Sequence, residues 1–253
     1  MNSEARQLMV KVPAITGYFW VIKVLSTTIG ETFADYLDES LGFGLSKTVV
    51  VMTVALLIAL TIQMSLRRYV PAVYWLTIVL ISTVGTLLTD TLHDTYNVQN
   101  WQSIIVFAIA LITTFSLWHK REGSLEMKSI NTRTRETYYW FAILFTFALG
   151  TAGGDIFLDD MGVALRFTFL GFAVVIAIVA MLWKSKVLGA VTAFWIAYVL
   201  TRPLGASLGD LLSLPKDETG LNLGAATTSY IFLALISSLV IYLTVSKKDR
   251  LNS

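Results

Sequence analysis

WVIKVLSTTIGETFAD, residues 20–35, decides the fold, because its skeleton returns three more times along the chain. Trp is followed ten residues on by Gly and five after that by Asp, at Trp20/Gly30/Asp35, Trp75/Gly85/Asp90, Trp140/Gly150/Asp155 and Trp195/Gly205/Asp210. The chain therefore reads as four copies of one unit. Each copy ends an apolar run with a carboxylate, and an ionisable residue within a segment long enough to cross a bilayer is read as part of a functional site.

Working outward, the whole sequence agrees with a membrane setting. Hydrophobic residues make up 55% and charged residues 14% of 253 positions, with a mean hydropathy of +0.69, a balance that no soluble surface needs. Apolar runs near residues 13–35, 48–66, 71–90, 101–118, 137–156, 164–183, 188–210 and 225–245 each match the length of a membrane-crossing helix. The expected fold is all-α, with eight transmembrane helices arranged as four parallel two-helix repeats around a polar centre. The first run starts near Val12 with no small-residue cleavage site behind it, so it is expected to be retained rather than removed as a signal.

The connections alternate in charge. Arg6, Lys11, Arg67, Arg68, Lys120, Arg121, Lys128, Arg133, Arg135, Lys184, Lys186, Lys247, Lys248 and Arg250 fall on one side. Asp38, Glu39, Asp94, Asp159, Asp160, Asp217 and Glu218 fall on the other, against only Lys47, Arg166 and Lys216. The positive-inside rule then puts both termini in the cytoplasm and an acidic mouth outside. Successive Asp positions are 55, 65 and 55 residues apart, and the surplus lies in the polar stretch 119–136, expected to be a cytoplasmic linker. Residues 1–253 are expected to form a single membrane domain, with repeats at about 11–70, 71–120, 136–187 and 188–248. Because every repeat is a helix pair, the four Trp-to-Asp helices must run the same way.

Residues three or four apart share a helix face. On that spacing Lys23, Thr27, Gly30, Glu31 and Asp35 form a polar stripe in the first repeat, and Ser82, Gly85, Thr86, Thr89 and Asp90 in the second. Gly150, Thr151, Gly154 and Asp155 follow in the third, and Tyr198, Arg202, Gly205, Gly209 and Asp210 in the fourth. Such stripes avoid hydrocarbon and should face one another across a shared interior. The recurrent Gly has two readings, close helix packing or a loosened helix that exposes carbonyls to a ligand. The Asp residues are read either as helix-end polar groups or as a converging ring that needs cations or shared protons. Lys23 and Arg202 are either structural ion-pair partners, Lys23 to Glu31 or Arg202 to a neighbouring Asp, or built-in counter-charges. The Trp residues and their aromatic neighbours are expected to be interfacial belt residues. Gln63 is expected to bond across helices, and His93 sits in an outer loop.

The N-terminal run KVPAITGYFWVIKVLSTTIGETFADYL resembles the signature of a bacterial multi-pass inner-membrane family built from a repeat of unknown function. Lys11, Val12, Pro13, Thr16, Phe19, Trp20, Lys23, Thr27, Thr28, Gly30, Glu31, Asp35 and Tyr36 carry the likeness. Later copies keep chiefly the aromatic, Gly and Asp positions. The resemblance implies residence in the bacterial inner membrane and brings no activity with it.

Function must then come from the residues. The expectation is a secondary transporter, an exporter of a small hard cation coupled to protons or to charge exchange, and not an enzyme. Glu31, Asp35 and Asp210 are the expected metal ligands, with Asp90 and Asp155 also binding the ion. Thr27 and Thr28 would supply neutral oxygens, and Lys23 and Arg202 would fill the empty site. Oxygen ligands suit Mn²⁺, Mg²⁺ or Ca²⁺, manganese first, while the absence of Cys removes thiolate sites for softer metals. Alternatives are a cation channel, an intramembrane aspartyl hydrolase built on Gly154-Asp155 and Gly209-Asp210, and a sensory or binding membrane protein. No cofactor motif is present, the net charge of +2 gives no nucleic-acid signal, and assembly into a homo-oligomer is left open. The bilayer, the cation and protons are the expected partners.

Overall fold

Each apolar run becomes a helix whose ends are set by local chemistry. In the computed structural model, which describes residues 10–250 apart from the Glu39 side chain, these are α1 (Gly17–Asp35), α2 (Leu45–Ser65), α3 (Pro71–Asp90), α4 (Asn100–Glu122), α5 (Arg133–Asp155), α6 (Leu165–Lys184), α7 (Ala190–Ser213) and α8 (Ala225–Ser246). Arg6 and the Glu39 side chain, counted above in the charge asymmetry, lie outside the described residues. Thr16 caps α1 by accepting from the Phe19 N–H, and Thr132 caps α5 by accepting from the Arg135 N–H. Pro71 takes the first turn of α3, where its missing N–H costs nothing. Gly123 closes α4 at φ 71°, a left-handed conformation that suits a residue without Cβ.

Seven of these helices, α2 to α8, are long and apolar enough to cross a membrane. The helix outside that set, α1, carries Lys23, Glu31 and Asp35 within its 19 residues. The described chain is thus an all-helical, multi-pass membrane protein.

The inner helices α1, α3, α5 and α7 touch in a closed order, α1 on α3, α3 on α5, α5 on α7 and α7 back on α1. The repeat glycine makes each of those contacts. A Cβ at Gly30 would collide with Ser82 of α3, and one at Gly85 would sit 2.8 Å from the Phe147 Cβ of α5. One at Gly150 would sit 2.6 Å from the Arg202 Cβ of α7, and one at Gly205 would collide with Thr27 of α1. Every glycine therefore receives the residue three positions before the glycine of the next copy. Of the two readings of this Gly, close backbone approach is the one that the packing supports.

The outer helices lean forward by one repeat. α2 packs on α3, α4 on α5, α6 on α7, and α8 returns to α1. Their outward faces stay apolar and exposed, with Val50, Val54 and Ile58 on α2 and Val174 and Ile178 on α6.

Opposite the Asp end, the starts of the inner helices converge on one aromatic cluster. Trp75, Trp140, Trp195, Tyr74, Tyr139, Tyr198 and Phe19 are all buried there, and the Tyr74 and Tyr139 hydroxyls lie 2.5 Å apart. This corrects the belt reading of the repeated Trp: three of the four are core residues, because four helix starts meeting at one axis bury the face that carries them. Trp20 alone is half-buried.

The same end is tied by buried polar groups. The Lys11 ammonium pairs with Glu136 at 2.5 Å and donates to the Met64 carbonyl at 3.1 Å. Gln63 donates to the Glu136 carboxylate at 3.3 Å and to the Lys11 carbonyl at 3.4 Å, so the expected cross-helix bond exists. Beyond α8, the Tyr69 hydroxyl donates to Asp249 at 2.6 Å, and burial raises the pKa of both groups above their ordinary values. The stretch 119–136 is packed rather than free, with Met127 and Ile130 buried and Arg135 paired with Glu122 at 2.7 Å. Breaking a buried pair from one side leaves an uncompensated charge, so Glu136→Leu is expected to cost about 3–5 kcal/mol. The double change Lys11→Met with Glu136→Leu should cost less than Glu136→Leu alone in thermal unfolding of the detergent-solubilised protein. Equal losses would show that the pair carries no such penalty.

Candidate functional site

All four repeat aspartates line one cavity of about 710 Å³. Asp35, Asp90 and Asp155 each stand at the last α-helical position of their inner helix, just before a π-helical turn at Tyr36–Ser40, Thr91–Thr95 and Ile156–Asp160. A π-turn widens the helix and frees carbonyls, and such turns recur at functional positions. The fourth copy departs from this pattern. Asp210 lies within α7, whose last carbonyls at Leu211, Leu212, Ser213 and Leu214 accept from the N–H groups of residues 221–224 as the loop folds back. Asp210 is buried, while the other three aspartates are half-buried.

Glu31 lines the cavity at its inner end and is held by Arg202. The Arg202 Nη2 donates both to the Glu31 carboxylate and to the Thr86 hydroxyl, and Thr86 donates to Glu31 at 3.2 Å. One node thus takes Glu31 from α1, Thr86 from α3 and Arg202 from α7, with Gly150 of α5 giving the arginine its room. Arg202 is 0% exposed, and its Nε and Nη1 have no hydrogen-bond partner. Pro203 follows at once inside α7 and packs on Gly154, at 3.3 Å from an added Cβ. Its ring removes a backbone donor beside the node.

Lys23 does not pair with Glu31. It is 0% exposed, has no hydrogen-bond partner, and its ammonium lies 4.0 Å above the Phe147 ring and 4.3 Å above the Tyr198 ring. Eight residues at 1.5 Å of rise put it ~12 Å below Glu31 along α1, well out of ion-pair reach. The aromatic faces are its counter-charge.

Thr27 and Thr28 do not reach the cavity. The Thr27 hydroxyl donates to the carbonyls of Val24 and, across the helix contact, Thr201, and Thr28 donates to Val24. The close approach of Gly205 and Gly209 covers them, so they are packing residues rather than ligand oxygens. The expected metal ligands Glu31, Asp35 and Asp210 are likewise not gathered into one ligand set. Among the described residues, no three His, Asp or Glu side chains come together as a group that could hold a metal ion. Each Asp is carried by a different inner helix, and Glu31 is engaged with Arg202.

The π-helical turns add Asp38, His93, Asp94 and Asp159 to the wall and the short turn after α7 adds Glu218, in keeping with the acidic side seen in the sequence. Two contributors had no sequence signal. Asn100, buried at the start of α4, donates to Asp160 at 3.5 Å. Ser213, 5% exposed, is one of the lining residues, and its hydroxyl is buried without a hydrogen-bond partner.

A ring of helices with a wide acidic cavity at one end and a sealed aromatic end defines the class: a multi-pass helical membrane protein with a polar cavity set into its core. The repeat model "Repeat of Unknown Function (DUF347)" matches residues 18–69, 73–124, 138–186 and 193–249, and the chain belongs to that family. No curated protein and no solved structure matches the chain.

Proposed function

We propose that the protein is a secondary carrier of cations in a bacterial inner membrane, with all eight helices crossing as four parallel repeats, both termini in the cytoplasm and the acidic cavity facing outward. The observation that carries this reading is the convergence of Asp35, Asp90, Asp155, Asp210 and Glu31 on one cavity whose inner end meets a buried guanidinium. A cavity lined by carboxylates concentrates cations by its field. An arriving cation competes for Glu31, and Arg202 is the tethered charge that takes the carboxylate back when the cation leaves. Exchange with protons or another cation keeps the buried charges balanced, as an uncompensated charge at this depth is costly. A small hard ion such as Mn²⁺ would enter with its water shell, since no ready ligand set awaits it.

The channel reading is weaker because of what lies beneath the cavity. Arg202, 0% exposed, stands at the inner end of the carboxylate cavity with the buried aromatic cluster beyond it, and a fixed guanidinium there opposes a continuous cation file.

Asp35→Asn and Asp210→Asn, purified into proteoliposomes, are expected to lower proton-gradient-driven cation flux by at least about tenfold. Unchanged flux in both would end the carrier proposal, and ohmic single-channel currents would replace it with a pore.

A further inference from the structure

We propose that residues 10–14 are a strap closing the aromatic end of the bundle, and that release of this strap admits water to the core around Lys23. The inference rests on the carrier reading, because a carrier exposes its interior to each side in turn, and the acidic cavity opens the bundle at the opposite end.

Residues 10–14 belong to no helix, so no backbone ladder of their own holds them. They are fixed instead to segments far away in sequence. The Lys11 N–H donates to the Ile130 carbonyl at 3.1 Å, and the Ala14 N–H donates to the Asp249 carbonyl at 2.8 Å. Two side-chain ties fasten the same pieces to the helix ends: Lys11 to Glu136 of α5 at 2.5 Å, and Tyr69, just before α3, to Asp249 at 2.6 Å. Val10, Val12 and Ile130 share one buried cluster with Tyr74, Trp75 and Trp140, so the strap covers the aromatic end directly. Undoing these ties breaks no helix.

Two observations mark the strap as movable. The first is its flank: a cavity of about 260 Å³ lies among Pro13, Ile15, Leu125, Met127, Val191 and Phe194. A segment serving only as core would be packed to interior density on that side as well. The second is the core behind it. The Lys23 ammonium, the Tyr198 hydroxyl and the Arg202 Nε and Nη1 are buried with no hydrogen-bond partner. Buried polar groups are normally satisfied, so these atoms suit a core that water enters in a second state. Lys23 and Tyr198 come 8 and 12 residues before Glu31 and Asp210 on their helices, toward the strapped end, and neither is among the residues that line the acidic cavity. Water for them enters through the strap.

Amide exchange on the unaltered chain is the first test. Residues 10–16 are expected to exchange at least about tenfold faster than α3 and α5, as a locally opening unit does. Exchange at the rate of those helices overturns the strap. The second test uses the absence of Cys from the chain. Lys23→Cys in inside-out vesicles reports water at that position by its reaction with a membrane-impermeant methanethiosulfonate cation. Adding Lys11→Met, Glu136→Leu and Tyr69→Phe removes both side-chain ties, and is expected to raise that rate at least about tenfold by shifting the strap toward its open state, with no rise in right-side-out vesicles. An unchanged rate, or an equal rise from both faces, overturns the proposal. The carrier reading fails separately. A strap that opens in a chain moving no cation in proteoliposomes stands while the carrier reading ends, and a strap that stays shut in a chain that does move cations ends the strap alone.

Discussion

Arg202→Met is expected to be the most damaging single change to the site. Its Nη2 holds Glu31, whose side chain is only 13% exposed, and Thr86, so the truncation leaves a carboxylate in the core with no cation. Removing one partner of a buried pair typically costs ~3–5 kcal/mol. Thermal unfolding in detergent should fall by that much, and flux should vanish with it. Arg202→Lys should recover part of the stability, because a compact ammonium restores charge but not the planar fork that bridges two oxygens. Glu31→Gln combined with Arg202→Met should cost less than the sum of the two single changes, the mark of a coupled pair. Strict additivity would mean that the two side chains do not depend on each other.

Gly205→Leu is expected to prevent the inner ring from closing. A Cβ there would overlap the Thr27 hydroxyl and approach the Thr28 backbone nitrogen to 3.0 Å. Backbone cannot step aside as a flexible side chain can, and overpacking in a fitted core costs ~1–3 kcal/mol even where relaxation is available. With three further side-chain carbons to place, the loss should exceed that range and show as aggregation on size-exclusion chromatography. Gly153→Ala and Gly171→Ala provide the contrast, since nothing lies within 4 Å of either added methyl. Both should be tolerated, and the helix propensity of Ala should add ~0.5–1 kcal/mol at each. If Gly205→Leu stays monodisperse and fully active, the glycine contacts do not hold the ring.

The fourfold repeat was readable because its signal is a spacing, and spacing survives when side chains drift. The Asp positions kept one carboxylate at one depth, and all four meet at the cavity. What the sequence could not decide was which face of each stripe turns to a neighbour and which to the centre. Thr27 shares a stripe with Glu31, yet a glycine of α7 covers one while the other opens to the cavity. The expected pairing of Glu31 with Lys23, and of Arg202 with a neighbouring Asp, differs from the Arg202–Glu31 pair that forms. The rise along α1 rules out Lys23, but only the order of the ring brings Arg202 across to α1. The Trp positions were misjudged because an aromatic at a helix start looks the same in sequence whether it faces lipid or an axis. Asn100 and Ser213 had no pattern at all: each stands at a helix end, Asn100 at the start of α4 and Ser213 at the close of α7, outside the repeated stripe.

The forward lean of the outer helices bears on how the protein is made. α1 is made before the other seven described helices, yet it is the one of the eight outside the set apolar enough to cross a membrane. Its Glu31 meets its arginine, and its outer flank is covered, only through α7 and α8, more than 150 residues later in the chain. The most polar segment is therefore also the one whose shelter is synthesised last. Glu31 therefore waits for its arginine until α7 has been made, and the packing around α1 is completed only when α7 and α8 close on it.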